Sequence, residues 1–366
     1  MAYDISRIAS NFELRGKVVA FEPYGSGHIN DTYKVTVEQG GAPMNYIIQR
    51  VNSKVFPNVA KMMENISRVT GHLARKIEAR GGDASRETLT LIPTKSGESF
   101  FKDEDGNYWR VYIFISGAKT YDTVSNARLA FEAAKAFGGF QRELADLQGG
   151  PLFESIRDFH HTPKRFENFL KSLEADKFNR AVQAKKEIDF CLARKDMVSK
   201  VVEGLADGSI PSRVTHNDTK INNIMIDDAT GAGLCVIDLD TVMPGSVLYD
   251  FGDQVRTATA TAAEDERDLS KVNFRLDFFE ALAKGYLESA SDFLVSGERN
   301  YLAQSGALIT FEIGLRFLTD FLDGDVYFKV HRDGHNLDRC RTQFEMTRQM
   351  DEKMELMAAI IDNYKA

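Results

Sequence analysis

Apolar residues recur along this chain with two different spacings, and the change from one to the other divides it. Up to about Ser116 they alternate or fall in short blocks: Lys17–Pro23, Thr32–Val37, Tyr46–Val51, Thr88–Ile92, Glu98–Phe101 and Tyr108–Ile115 read as strands. One helix interrupts them. From Asn58 to Ala79, residues Val59, Met62, Met63, Ile66, Val69, Leu73 and Ile77 form a stripe at helical spacing that ends at Gly81-Gly82. Beyond Gly117 the helical period takes over, in stretches near Asn126–Asp146, Pro163–Ala175 and Glu187–Leu205. The expectation is an α+β chain: a β-rich unit with one helix over residues 1–116 and a larger, mostly helical unit over 117–366. Phe114-Ile-Ser-Gly117 joins them, and such a junction forms a cleft where ligands concentrate.

Composition narrows the classes. The 366 residues allow two or three domains, and 43% hydrophobic content is enough for a full core. A net charge of −8 argues against nucleic acid or an anionic membrane as the main partner. Cys191, Cys235 and Cys340 are far apart and lack CxxC spacing, which fits buried thiols better than disulfides or zinc. There is no apolar run near ~18 residues, no basic start followed by an apolar segment, and no internal repeat. A cytoplasmic monomer acting on small molecules is expected.

The chemistry concentrates in Val214-Thr-His-Asn-Asp-Thr-Lys-Ile-Asn-Asn223. Asp218, Lys220 and Asn223 follow the order of the catalytic loop of protein kinases. Ile224–Asp227 and Leu234–Ile237 then read as a hairpin around a turn-rich segment. If Asp227 pairs with Leu234, Asn223 falls opposite Asp238, with Cβ atoms ~4.5–5.5 Å apart, close enough to share one Mg²⁺. The alternative is an Asn cap and a turn Asp beside an ordinary hairpin. His216 reads as the residue that orients the loop, and Lys220 as a cation for the transferring phosphoryl group or else a solvated loop lysine. The turn Tyr24–Asn30, with Gly25, Ser26 and Gly27, can cover phosphates with backbone N–H groups or be a plain hairpin. The backbone of Phe114 and Ile115 is the candidate for an adenine edge, or merely a linker. Asp250-Phe-Gly252 and His331-Arg-Asp333 imitate kinase motifs but have the wrong surroundings; Asp250 reads as a helix N-cap.

These motifs, with Glu22–Asn30, Ile237–Gly245, Tyr249–Asp253, Gly314–Asp320 and Asp325–Tyr327, resemble the aminoglycoside phosphotransferase and choline kinase-like superfamily, and within it the N-acetylhexosamine 1-kinases. The resemblance implies a two-lobed protein-kinase-like fold and ATP as phosphoryl donor. It implies Asp218 as base, Mg²⁺ on Asn223 and Asp238, to which the hairpin reading adds Asp240 as a candidate second ligand, and phosphates under Gly25–His28. It further implies an acceptor sugar read by His28, Arg316, Asp320 and Tyr327, phosphorylated at its anomeric hydroxyl. Glu312, Arg316 and Asp320 otherwise read as a solvent-facing ladder on one helix face. The chain departs from the superfamily at Asn217, where Gly is usual, and at Gln49, where the third strand usually offers Lys or Arg to the phosphates. A small-alcohol kinase of choline or homoserine type, and a non-catalytic nucleotide-binding module, are the competing readings.

Overall fold

A computed structural model describes residues 3–25 and 29–364. Its first part is an antiparallel sheet in which β1 (Lys17–Pro23), β2 (Asp31–Gln39) and β3 (Ala42–Val51) form a meander. β4 (Leu91–Ile92), β5 (Phe101–Lys102) and β6 (Tyr108–Ile113) follow, and the spatial order is β1-β2-β3-β6-β4 with β5 also on β6. Val35, Val37, Ile48, Trp109 and Val111 are buried on this sheet against Ile5, Ile8 and Phe12 of the N-terminal segment.

The helix Val59–Ala79 lies where its stripe places it, with the Asn58 side chain capping Lys61 N at 3.2 Å. Its end is a Schellman turn. Gly81 adopts φ +76°, and the N–H groups of Gly81 and Gly82 return to the carbonyls of Glu78 and Ile77, both at 2.9 Å. The strand expected over 88–92 is shorter, because Asp83 caps a helical turn at Ala84–Glu87 and Glu87 reaches back to the Asp83 N–H. The helix expected over 187–205 is broken into Lys185–Leu192, a 3₁₀ turn and Lys200–Asp207. Cys191 and Val198 belong to one core and Val201 to another, and one straight helix cannot serve both.

Two small sheets open the second part. β7 (Ala118–Lys119) pairs with β9 (Ile224–Asp227), which pairs with β10 (Gly233–Val236), while β8 (Arg213–Thr215) pairs with β11 (Met243–Gly245). Below them, the helices Ala127–Leu144, Val247–Ala258, Leu276–Ala290 and Ser296–Leu322 enclose the main apolar core. Among the described residues, no helix is long and apolar enough to cross a membrane.

The helix Val247–Ala258 is pressed onto Ser296–Leu322 at Gly252, where an added Cβ would lie 2.3 Å from the Ser305 carbonyl oxygen. Gly→Ala inside a helix ordinarily gains up to ~1 kcal/mol of propensity. Here the clash is with backbone and must separate two helices, so Gly252→Ala is expected to destabilise the protein by ~1–3 kcal/mol, measured as a lower urea midpoint. A raised midpoint would show that the two helices yield freely.

Candidate active site

Strand β8 delivers the loop His216–Asn223 to the junction, and a single buried carboxylate fixes its entry. Asp250, inside the helix Val247–Ala258 and not at its cap, which is Ser246, accepts the N–H of His216 at 2.9 Å and of Asn217 at 2.7 Å. Gln141 Nε2 donates to it at 2.7 Å. Asn217 sits at φ +65°, a conformation that Asn tolerates better than most non-glycine residues, and its amide bonds Thr215 O and Thr241 O. Asn can therefore stand where Gly is usual. His216 is buried; its Nε2–H donates to Ile237 O at 2.9 Å and its Nδ1 accepts the Asp218 N–H at 3.3 Å, which assigns the neutral tautomer.

Asp218 emerges from this support toward the cleft. Lys220 Nζ lies 2.7 Å from its Oδ1, and Asn223 Nδ2 donates to its carbonyl at 2.8 Å and its Oδ2 at 3.2 Å. Burial alone would raise the Asp218 carboxyl, but the Lys220 ammonium outweighs it and holds the group below the ordinary range. An ionised carboxylate so placed can accept a proton from an acceptor hydroxyl.

The hairpin register differs by one residue from the sequence expectation. The turn closes two residues tighter than expected, with Gly233 opposite Ile226, and a bulge between Gly233 and Cys235 recovers only one of them, so Ile237, not Asp238, lies opposite Asn223, and Ile237 N bonds Asn223 O at 2.9 Å. Asp238 then leaves the ladder at φ +58°. Its carboxylate accepts no hydrogen bond from a described residue, and neither does Asn223 Oδ1. Surrounding protein, then repulsion from Asp240 and Asp218, pushes Asp238 up to about 6, an effect that water in the open cleft partly screens. A spare amide oxygen beside a carboxylate that two neighbours repel fits a hard divalent cation. Among the described residues no three His, Cys, Asp or Glu side chains form a ready metal cage. Such a site suits an ion that takes its other oxygens from phosphate and water.

Asp240, expected as a second metal ligand, has both oxygens engaged: one by the Arg110 guanidinium, the other by Asn30 Nδ2 at 2.7 Å. Gln49 faces Arg110 across the β3–β6 ladder and accepts its Nε at 3.0 Å. At the linker, the Phe114 N–H is committed to Asn45 O at 3.1 Å, which leaves the Phe114 carbonyl and the Ile115 N–H as the edge that can meet a base. Gly25 bends at φ +82°; Ser26, Gly27 and His28 lie outside the described residues.

On the acceptor side the expected ladder is not solvent-facing. Glu312 is buried, bonded to His160 Nδ1 at 2.9 Å and to Thr162 Oγ1 at 2.5 Å, and His160 Nε2 donates to Asn217 O at 3.1 Å. Burial opposes both charges, yet each partner's charge prevails: His160 is raised and Glu312 lowered. Asp320 is also buried and is spent on the chain, accepting the N–H groups of Val326, Tyr327 and Phe328 at 2.7–2.9 Å and Asn336 Nδ2 at 2.8 Å. It therefore shapes the 325–328 turn instead of offering oxygens to a ligand. Arg316 lies 5.5–5.9 Å from the ring centres of Phe159, Tyr327 and Phe328, and Tyr327 is 71% exposed.

The model of the phosphotransferase enzyme family matches residues 20–289, about three-quarters of the chain. The chain belongs to this family. Solved structures of similar fold match nearly the whole length of the chain. A microcompartment-associated aminopropanol kinase is 13% identical, covers 97% of this chain and 98% of its own, and superposes with a TM-score of 0.60. Spectinomycin phosphotransferase, solved with ADP and spectinomycin, gives the same identity and coverage at 0.59. Amicoumacin kinase, in complex with AMP-PNP, Ca²⁺ and Ami, is 12% identical over 96% and 94% of the chains at 0.57. The fold of this family member is thus the two-lobed kinase-like α+β arrangement. Arg110 and His160 are the members of the site that sequence reading missed, and Glu312, noted on its helix face, serves as the buried partner of His160.

Because Asp238 is raised in the folded state above the ordinary ~3.9, ionising it toward neutral pH costs the folded protein stability. Asp238→Asn removes that cost. With EDTA present, the variant is expected to melt higher than the parent at pH 7.5, the gap closing below about pH 4, where the carboxyl is neutral in both states. A lower Tm at pH 7.5 would show that Asp238 stabilises the fold.

Proposed function

We propose that the chain transfers the γ-phosphoryl group of ATP to the anomeric hydroxyl of a free N-acetylhexosamine, of gluco or galacto configuration. Residues 1–116 act as the lobe that covers the nucleotide and 117–366 as the lobe that carries the loop and the sugar. Asp218 takes the proton of the attacking hydroxyl as the new carbon-1 O–P bond forms and the bond to the β-phosphate oxygen breaks, releasing ADP. His216 and Asp250 hold the loop, and Lys220 turns from Asp218 to the transferring oxygens. Asn223 and Asp238 are the residues that would hold Mg²⁺, which when bound neutralises phosphate charge. The backbone of Phe114 and Ile115 meets the base, and Gly25–His28 the phosphates.

The observation that carries the acceptor assignment is the His160–Glu312 bridge. It ties the residue before Asp218 to the helix face that presents Arg316 one turn later, above the turn that Asp320 draws in with Tyr327. A guanidinium among aromatic rings suits a neutral, polyhydroxylated ring with an acetamido group; a protonated amino alcohol would meet Arg316 with like charge. His28 completes the sugar contacts in this reading.

Incubated with Mg-ATP and N-acetylhexosamine, the protein is expected to give the sugar 1-phosphate, identified by phosphorus NMR through coupling to the anomeric proton. A 6-phosphate, or turnover of amino alcohols alone, would overturn the assignment. Asp218→Asn is expected to lower turnover by roughly 10²–10⁴-fold while ADP still binds. Turnover within a few-fold of the parent would remove Asp218 from the chemistry.

A further inference from the structure

β6 carries a charge into the middle of the sheet. Arg110 is 1% exposed, lies between the buried Trp109 and Val111, and faces Gln49 on β3. Directly opposed residues share one face of a sheet with Cβ atoms ~4.5–5.5 Å apart, so a side chain at 110 starts beside the one at 49 and reaches the same part of the cleft. Its Nε donates to Gln49 Oε1 at 3.0 Å, and its Nη1 bonds Asp240. Nη2 makes no hydrogen bond to a described residue, and the charge of Asp238 acts on the guanidinium. Gln49 is itself held, its Nε2 donating to Thr32 Oγ1 at 3.0 Å. The second oxygen of Asp240 takes Asn30, whose Oδ1 accepts the Asn52 N–H at 3.0 Å. One carboxylate thus joins the cation of the sheet, the end of the glycine-bearing turn and the segment that follows Asp238.

A buried guanidinium–carboxylate pair is a poor way to gain stability, since an apolar pair of similar volume often serves as well or better. Phosphoryl transfer supplies a use for it. The nucleotide phosphates call for a fixed cation, which protein kinases place on the third strand. Position 49 is neutral here, and a cation there would face the Arg110 guanidinium.

We infer that Arg110 is the nucleotide-phosphate cation of this chain, reaching from the strand next to the third one, with Gln49 and Asp240 as its positioning residues. Gln49 fixes the guanidinium through Nε, Asp240 holds Nη1, and Nη2 is left for a phosphate oxygen. Asp240 is then the partner of Arg110 and not a metal ligand. The inference rests on the nucleotide reading of the cleft.

Calorimetric titration of the full chain with ADP and separately with adenosine, with and without Mg²⁺, tests it. Arg110→Gln is expected to weaken ADP by roughly 10-fold or more, the worth of a charge-assisted hydrogen bond, and to leave adenosine unchanged. Gln49→Lys added to Arg110→Gln is expected to restore part of the ADP affinity. Should Arg110→Gln fail to fold by circular dichroism, Arg110→Lys decides: it keeps the charge but loses the planar fork that serves Gln49, Asp240 and phosphate from three separate nitrogens, so ADP weakens selectively. A folded Arg110 variant that binds ADP and adenosine like the parent would overturn the inference. A parent that binds neither would instead overturn the nucleotide reading.

Discussion

Everything at this site hangs from the Asp250 carboxylate. It is buried, and burial raises it; the His216 and Asn217 N–H groups and the Gln141 amide counter that cost. Gln141 is in turn held by the Tyr286 hydroxyl at 2.6 Å, so the path of the loop is set from within the helical core. Two N–H groups aimed at one carboxylate impose the left-handed turn at Asn217, and that turn makes Asp218 the first side chain to reach the cleft. Removing the carboxylate would strand two buried donors, at a cost of ~1–3 kcal/mol each.

Four carboxylates within a few turns of chain share this region and are given different work by their surroundings. Lys220 keeps Asp218 ionised; Asp238, without a hydrogen-bond donor among the described residues, is raised and open to a cation; Asp240 is closed off by Arg110 and Asn30. Asp250 is closed off by backbone. Side chains of like chemistry are told apart by burial and partners, the same forces that tune acids and bases in enzymes generally.

Much of this was legible because local chemistry and tertiary context agree. β1 has the bounds its alternation implies, Asn58 caps the helix that its stripe predicts, and the hairpin after Asn223 forms where the turn residues place it. The register slipped because the turn closes tighter than its residues suggest, with Gly233 opposite Ile226, and the bulge that follows makes up only one of the two residues. Arg110 did leave one, a lone charge inside Tyr-Trp-Arg-Val-Tyr, but its meaning depends on Gln49 and Asp240, which only the fold brings to it. Asp320 and Glu312 have helical spacing that suits an exposed face equally well; His160 and the 325–328 turn, distant in sequence, bury them.

The central claim is that Asp218 faces an anomeric oxygen. A crystal structure with a non-hydrolysable ATP analogue, Mg²⁺ and N-acetylglucosamine or N-acetylgalactosamine measures this directly. The account predicts the carbon-1 oxygen within ~2.6–3.2 Å of an Asp218 carboxylate oxygen, in line with the γ-phosphorus. A carbon-6 hydroxyl in that place, or a sugar bound away from Asp218, would contradict it.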